Sequence, residues 1–190
     1  MIKFRNKKPT RTSPKKILKD YKQYREQLSI DFNHRCAYCD DYDNIRNSSF
    51  EIDHFIPQKY LKKKNVNDYD NLVYACKSCN NAKSAIWPSE TETISIVGNT
   101  GWIDPCSEEY EKQFTRNEHG TIIPVTQIGA WMHDKLKLWK DQHRVIWNIE
   151  RLDIICERIY SNINLLDANQ KTELIEFYHE KEQWIRMLMK

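Results

Sequence analysis

Two identical spacings, Cys36-Ala37-Tyr38-Cys39 and Cys76-Lys77-Ser78-Cys79, limit what this chain can fold into. Two residues between paired cysteines let both thiols face one point, and two such pairs supply a tetrahedron of sulfur at about 2.3 Å, the geometry zinc prefers. Thirty-six residues lie between Cys39 and Cys76, enough for a hairpin that a metal closes. A redox dithiol would use one pair within a βαβ pattern, which two symmetric pairs fit poorly. Cys36, Cys39, Cys76 and Cys79 are therefore expected to hold a structural Zn²⁺. Cys106 and Cys156 stand alone and read as ordinary reduced residues, and His34 reads as a loop residue.

A staple of this kind suits a chain with a modest core. Of 190 residues 39% are apolar and 30% charged, which allows one domain or two small ones. Only four glycines occur, at Gly98, Gly101, Gly120 and Gly129, so a Gly-rich phosphate cradle is excluded. No apolar run of about 18 residues exists, and no membrane partner is expected. The basic N-terminus lacks the apolar stretch of a secretory signal, so a cytoplasmic location is expected and disulfides are not.

The net charge of +3 is unevenly spread. Residues 1–25 hold ten Lys and Arg, among them Lys15 and Lys16, against the single acid Asp20. Lys59, Lys62, Lys63 and Lys64 form a second cluster. Such blocks suit a polyanion such as nucleic acid, and equally a solvated, soluble segment.

Four regions follow. Residues 1–32 read as an extended basic arm, then a helix from Lys15 to about Phe32 with Ile17, Leu18, Tyr21, Tyr24 and Leu28 on one face and Ser13-Pro14 at its start. Residues 33–90 form the cysteine-flanked module, with a knuckle at Cys36–Cys39 and strands over 47–56 and 71–75. A helix is expected there from Asn80, interrupted by Pro88. Residues 91–127 read as strands and turns: a strand at 93–97, a Gly98-Asn99 turn, then Gly120 and a strand at 121–125. Residues 128–190 are helical. Met132, Leu136, Trp139, Ile146, Ile149 and Leu152 track one face, and Asp167 with Gln170 makes a capping box for a last helix. Trp131, Trp139, Trp147 and Trp184 are expected to pack rather than stack on bases, while Tyr38, Tyr42 and Trp87 lie where they could touch substrate.

The cysteine pairs bracket Glu51-Ile52-Asp53-His54-Phe55-Ile56-Pro57, then Asn71-Leu72-Val73, and are followed by Asn80-Asn81-Ala82-Lys83. These elements, in this order, resemble the HNH endonuclease family, in its branch with a four-cysteine zinc frame around a ββα-metal core. The resemblance covers about residues 33–90. It implies a small zinc-stapled ββα-metal core, and together with the basic N-terminal helix and the α-helical C-terminal region read above, the expected fold class is α+β. It also implies His54 as general base, Asp53 as ligand of a catalytic Mg²⁺ or Mn²⁺, Asn71 as the residue that orients the catalytic loop, and Asn80 as a second ligand where the family often has His. A weaker similarity runs through Ile103-Asp104-Pro105, Phe114, Gly120-Thr121-Ile122 and Gly129.

The chemistry agrees with these roles. Phosphodiester hydrolysis needs an activated water and neutralised phosphate charge. An imidazole accepts a proton near neutral pH, and carboxylate and amide oxygens hold hard divalent ions. Asp53 and His54 share a strand, so they converge only if the strand ends there. Lys83, one turn into the helix, is expected to meet phosphate, and Lys59, Lys62, Lys63 and Lys64 to grip the backbone. Glu51 shares a face with Asp53 as a supporting residue or further ligand. An isolated Asp-His pair is incidental in most chains; the flanking knuckles and Asn80 raise it above that.

The expected function is a metal-dependent endonuclease cutting DNA ahead of RNA. The layout also resembles small HNH effectors of bacterial phage defence, of the Septu and retron-associated type, some paired with an ABC-type ATPase. That resemblance implies such a protein partner, while the long C-terminal helices suggest a partner, a homodimer or, equally, a plain helical domain packed on the module. The alternatives are a zinc-stapled nucleic-acid-binding module without catalysis, for which Asp53, His54 and Asn80 would be superfluous, and an RNA-cleaving effector.

Overall fold

Cys76 ends one element and begins the next, and the rest of the module is arranged around that junction. The computed structural model describes residues 2–12, 14, 17–45 and 50–189. In chain order the elements are strand β1 (Ile2–Lys3), helix α1 (Arg25–Asp31), strands β2 (Phe50–His54) and β3 (Leu72–Cys76), helix α2 (Lys77–Lys83), strands β4 (Ile96–Val97) and β5 (Thr100–Gly101), helix α3 (Glu108–Glu111), strands β6 (Phe114–Arg116) and β7 (Ile122–Pro124), and helices α4 (Gln127–Lys135), α5 (Asp141–Tyr160) and α6 (Ala168–Leu188). The chain is α+β. Among the described residues no helix is long and apolar enough to cross a membrane.

β2 and β3 pair antiparallel, with Phe50 opposite Cys76 and His54 opposite Leu72. β3 is buried at every position, as its unbroken apolar run requires. α2 follows without a loop because the Cys76 thiol caps it, accepting the Cys79 N–H at 3.4 Å. The helix therefore starts at Lys77 rather than Asn80. It stops at Lys83, well before Pro88, where Ser84 takes a φ of 46° and returns its N–H to Asn80 O.

The four knuckle thiols lie within 4.8 Å of one another, each 2% exposed or less, and no disulfide joins them. Cys39 Sγ and Cys76 Sγ are 3.7 Å apart. A tetrahedron with sulfur at about 2.3 Å from its centre has edges of about 3.8 Å, so this donor set fits Zn²⁺.

The N-terminal segment is not the free basic arm its composition suggests. β1 is the edge of a three-stranded sheet ordered β1-β6-β7. The Arg5 side chain is 1% exposed, with Nε donating to Glu111 at 2.6 Å and Nη2 to the Pro105 carbonyl at 2.6 Å. Arg11 pairs with Asp104 at 2.9 Å. Both are structural pins and leave the phosphate-gripping set. The helix expected from Lys15 begins only with a 3-10 turn at Tyr21–Tyr24, capped by Asp20. Upstream, Thr10 and Thr12 bond back to Asp31, which holds that chain extended, and Ile17 is exposed. Ser13, Lys15, Lys16 and residues 47–49 lie outside the described residues.

Of the strand expected at 93–97 only Ile96–Val97 pairs, across the Gly98-Asn99 turn. The C-terminal region holds three helices. The periodicity through Trp139 crosses a break between α4 and α5, where Lys137 takes a φ of 56°, and Trp139 is exposed instead of packed. α5 and α6 run antiparallel: Lys181 pairs with Asp153 at 2.6 Å, and Arg144 lies over Trp184. The Asp167–Gln170 capping box opens α6 as expected. α5 docks on the knuckle module through a buried His143–Asp41 bond of 2.8 Å and an Arg35–Glu150 pair.

Elemental analysis of purified protein is expected to find about one zinc per chain. Cys36→Ser is expected to lose that metal and the cooperative unfolding transition, because a small module without its ion lacks the stabilisation that structural zinc gives. Well-folded protein free of zinc would contradict the assignment.

Candidate active site

The site lies where β2 ends and α2 begins. Asp53, His54 and Asn80 line one open groove of about 520 Å³, together with Tyr21, Pro57, Gln58 and Asn81. An adjoining hollow shares Tyr21, Ile52 and Asn80 and extends the groove toward Lys22, Arg25 and Glu51. Three of the sequence-predicted residues are thus brought together, and the strand does end at His54 as their convergence requires.

Asp53 is 8% exposed. Its Oδ2 accepts from the Tyr38 hydroxyl at 2.6 Å and lies 2.9 Å from the Lys83 ammonium. Burial, with the Asp53 charge beside it, pushes the Tyr38 phenol well up, so Tyr38 stays a donor. Both partners meet one oxygen of the carboxylate, which leaves Oδ1 available to a cation.

His54 is held on three sides. Its Nε2 lies 2.8 Å from the Val66 carbonyl, which can only accept, so that nitrogen carries the proton. Nδ1 then bears the lone pair, 3.2 Å from the Gln58 amide. Tyr21 meets the ring edge-on at 4.7 Å between centroids. Burial lowers the His54 pKa and Lys83 adds to this, while the Val66 bond and Asp53 oppose it. The imidazole is therefore held toward its neutral, proton-accepting form.

Asn71 is 1% exposed and clamps the turn after β2. Its Oδ1 accepts from Ile56 N–H at 2.8 Å, its Nδ2 donates to Ile56 O at 3.0 Å, and its own carbonyl accepts from Phe55 N–H at 2.8 Å. Asn80 donates Nδ2 to Glu51 Oε2 at 2.7 Å, which turns its carbonyl oxygen free as a second donor for a cation. Glu51 thus supports Asn80. Two oxygen donors beside a neutral imidazole fit a hard divalent ion such as Mg²⁺ or Mn²⁺.

Lys83 is not at the surface. It is 0% exposed, and its ammonium donates to the His54 carbonyl at 2.8 Å as well as facing Asp53. Here it holds the Asp53-His54 pair and has no outward face for phosphate. Tyr38 and Trp87 are also buried; Trp87 packs edge-on against Phe55. Lys62, Lys63 and Lys64 remain exposed, and Lys59 lies over Tyr60 at 4.5 Å. Glu92 shapes their loop by accepting the Lys63 and Lys64 N–H groups at 3.0 and 2.8 Å. Tyr21, Gln58, Val66 and Glu92 were not foreseen. Gln58 follows His54 by four residues and could have been noticed, but a backbone carbonyl at Val66 leaves no trace in sequence.

Lys83→Met leaves a buried carboxylate without its cation, which costs about 3–5 kcal/mol. A thermal or urea melt is expected to show that loss, and Lys83→Arg is expected to recover little, because the enclosed space fits an ammonium on a straight stem.

Residues 36–85 match the family model described as HNH endonuclease. Septu protein PtuA of Bacillus mycoides (strain KBAB4) is 28% identical over 127 residues, 56% of this chain and 18% of that protein. The chain thus spans under a fifth of that relative's length. No solved structure matches. The cysteine cluster and three residues of the groove, Asp53, His54 and Asn80, all fall within the stretch that matches that model.

Proposed function

We propose that this protein is a metal-dependent endonuclease that hydrolyses phosphodiester bonds of DNA. The observation that carries the proposal is the meeting of Asp53, His54 and Asn80 in one groove beside a four-cysteine cluster. Asp53 Oδ1 and the Asn80 amide oxygen would hold the divalent ion, which when bound neutralises phosphate charge and eases departure of the leaving oxygen. His54 takes the proton of the attacking water at Nδ1, while the Val66 carbonyl fixes the ring by its other nitrogen. Gln58 gives up its contact to Nδ1 as water enters. Asn71 keeps the Phe55-Ile56 turn from shifting under the ring. Lys22 and Arg25 line the adjoining hollow, and with the exposed lysines of the 59–64 loop they would supply backbone contacts that carry no sequence information.

The likeness to Septu protein PtuA supports a place among phage-defence effectors, and a protein partner, an ABC-type ATPase among the candidates, is part of the proposal. The exposed residues Ile175, Tyr178, Ile185 and Met189 of the last helix and its end suit such a partner or a second copy of the chain. RNA as substrate is the second reading, since nothing in the groove distinguishes the sugars.

Purified protein is to be incubated with plasmid and with RNA, in Mg²⁺ or Mn²⁺ and in EDTA, beside His54→Ala. Cleavage of plasmid that EDTA abolishes and His54→Ala lowers by at least 100-fold is expected, in line with the usual worth of a general base, about 10²–10⁴. Equal cleavage by variant and parent would end the enzymatic reading. Asn80→Ala is expected to raise the metal concentration needed for half-maximal rate, and an unchanged metal dependence would remove Asn80 as a ligand.

A further inference from the structure

A second hollow lies away from the nuclease groove and shares none of its lining residues. It is a half-enclosed cavity of about 260 Å³ between β1 and one face of α5. Trp147, Arg151, Ile154 and Arg158 recur along α5 at steps of four, three and four, so one stripe of the helix forms its wall. Ile2 of β1 and Phe4 just after it form the opposite wall.

The charges of the cavity divide into two sets. On the floor they are matched: Arg35 pairs with Glu150 and lies 3.5 Å from Asp40, and Arg5 is committed to Glu111. At the rim they are not. Lys3, Arg151 and Arg158 are exposed, and no acid pairs with any of them among the described residues. Arg151 does have a fixed place, its guanidinium 5.6 Å from the centre of the Trp147 ring. Gly120 backs that ring so closely that a Cβ there would stand 2.3 Å from Trp147. Three unpaired cations at the rim, above a floor whose charges are matched, concentrate positive potential at the mouth of the cavity. The lining sets apolar side walls, Ile2, Phe4, Trp147, Ile154 and Ile155, over a floor of paired charges, and the volume lies just below the common small-molecule range of about 300–1,000 Å³. It can take a molecule of mononucleotide size or the end of a polymer, not a duplex.

We propose that this cavity binds a nucleoside phosphomonoester, with the phosphate at Lys3, Arg151 and Arg158 and the nucleoside between Ile2, Ile154 and the Arg151–Trp147 platform. Phosphate matches the guanidinium fork, and a planar base can stack on the outer face of Arg151. The same chemistry is offered by a free nucleotide and by the 5′-phosphate end of a nucleic-acid strand.

The test uses the 190-residue chain, zinc-loaded, with His54→Ala so that no oligonucleotide is cut. Adenosine and guanosine 5′-monophosphates, adenosine, inorganic phosphate, and 5′-phosphorylated and 5′-hydroxyl oligonucleotides are titrated by calorimetry. Saturable binding of the monophosphates is expected, with adenosine and inorganic phosphate each at least tenfold weaker. Arg151→Ser/Arg158→Ser is expected to weaken monophosphate binding at least tenfold without moving the melting temperature, since both side chains are exposed. A phosphorylated oligonucleotide that displaces the mononucleotide assigns the site to strand ends, and failure to displace assigns it to the free nucleotide; either upholds the phosphomonoester. No saturable binding of any phosphomonoester, or binding undiminished in the double variant, overturns the proposal. Inorganic phosphate binding as tightly as the nucleotides overturns its nucleoside half. A catalytically silent groove would leave these readouts unaffected, so the two proposals fail separately.

Discussion

Four sulfur atoms meeting at one point set the geometry of everything that acts on substrate here. Cys76 stands opposite Phe50 in the hairpin, contributes a thiol to the cluster, and caps α2. The register of β2 and the start of α2 are therefore one constraint. Asp53 and His54 sit three and four residues along β2 from Phe50, and Asn80 sits directly after Cys79, so the pairing that places Cys76 also places the groove. Four thiolates crowded without a cation would repel, so a cation held there would tie the shape of the site to its binding.

Around that frame the polar groups are assigned with little redundancy. Tyr38 lies between two of the cysteines and holds Asp53, while Lys83 reaches back from the end of α2 to Asp53 and the His54 carbonyl. A fully buried ammonium is tolerable because each neighbour is an acceptor. Asn71 does for the loop what Lys83 does for the strand. The carboxylate and the imidazole thus enter the groove already oriented, and little is left to be ordered when substrate arrives.

Much of the site was legible because it is local in sequence. The knuckle spacing, the Asp-His pair at a strand end, Asn71 and Asn80 all carry signals within a few residues, and the Asp167–Gln170 cap is a short-range pattern too. What could not be read depends on contacts across the chain. Arg5 and Arg11 look like free charge until Glu111 and Asp104 are placed beside them. Lys83 looks like a surface lysine until the helix is rotated onto β2. The helical period through Ile17 and Leu18 was overridden by the bonds of Thr10 and Thr12 to Asp31, and the period through Trp139 by a left-handed residue at Lys137.

The pairing of β1 with β6 has a temporal side. Thr115 Oγ1 bonds Ile2 O across 113 residues of chain, and Arg116 reaches the Phe4 carbonyl across 112. At a synthesis rate of about 5–20 residues per second, the first strand waits on the order of ten seconds for its partner to leave the ribosome. The cysteine knuckles span only 36–79 and can close around their ion earlier in that interval. In a nascent chain the candidate site can thus form before β1 is fastened to β6, and the α5 wall that covers β1 follows after both.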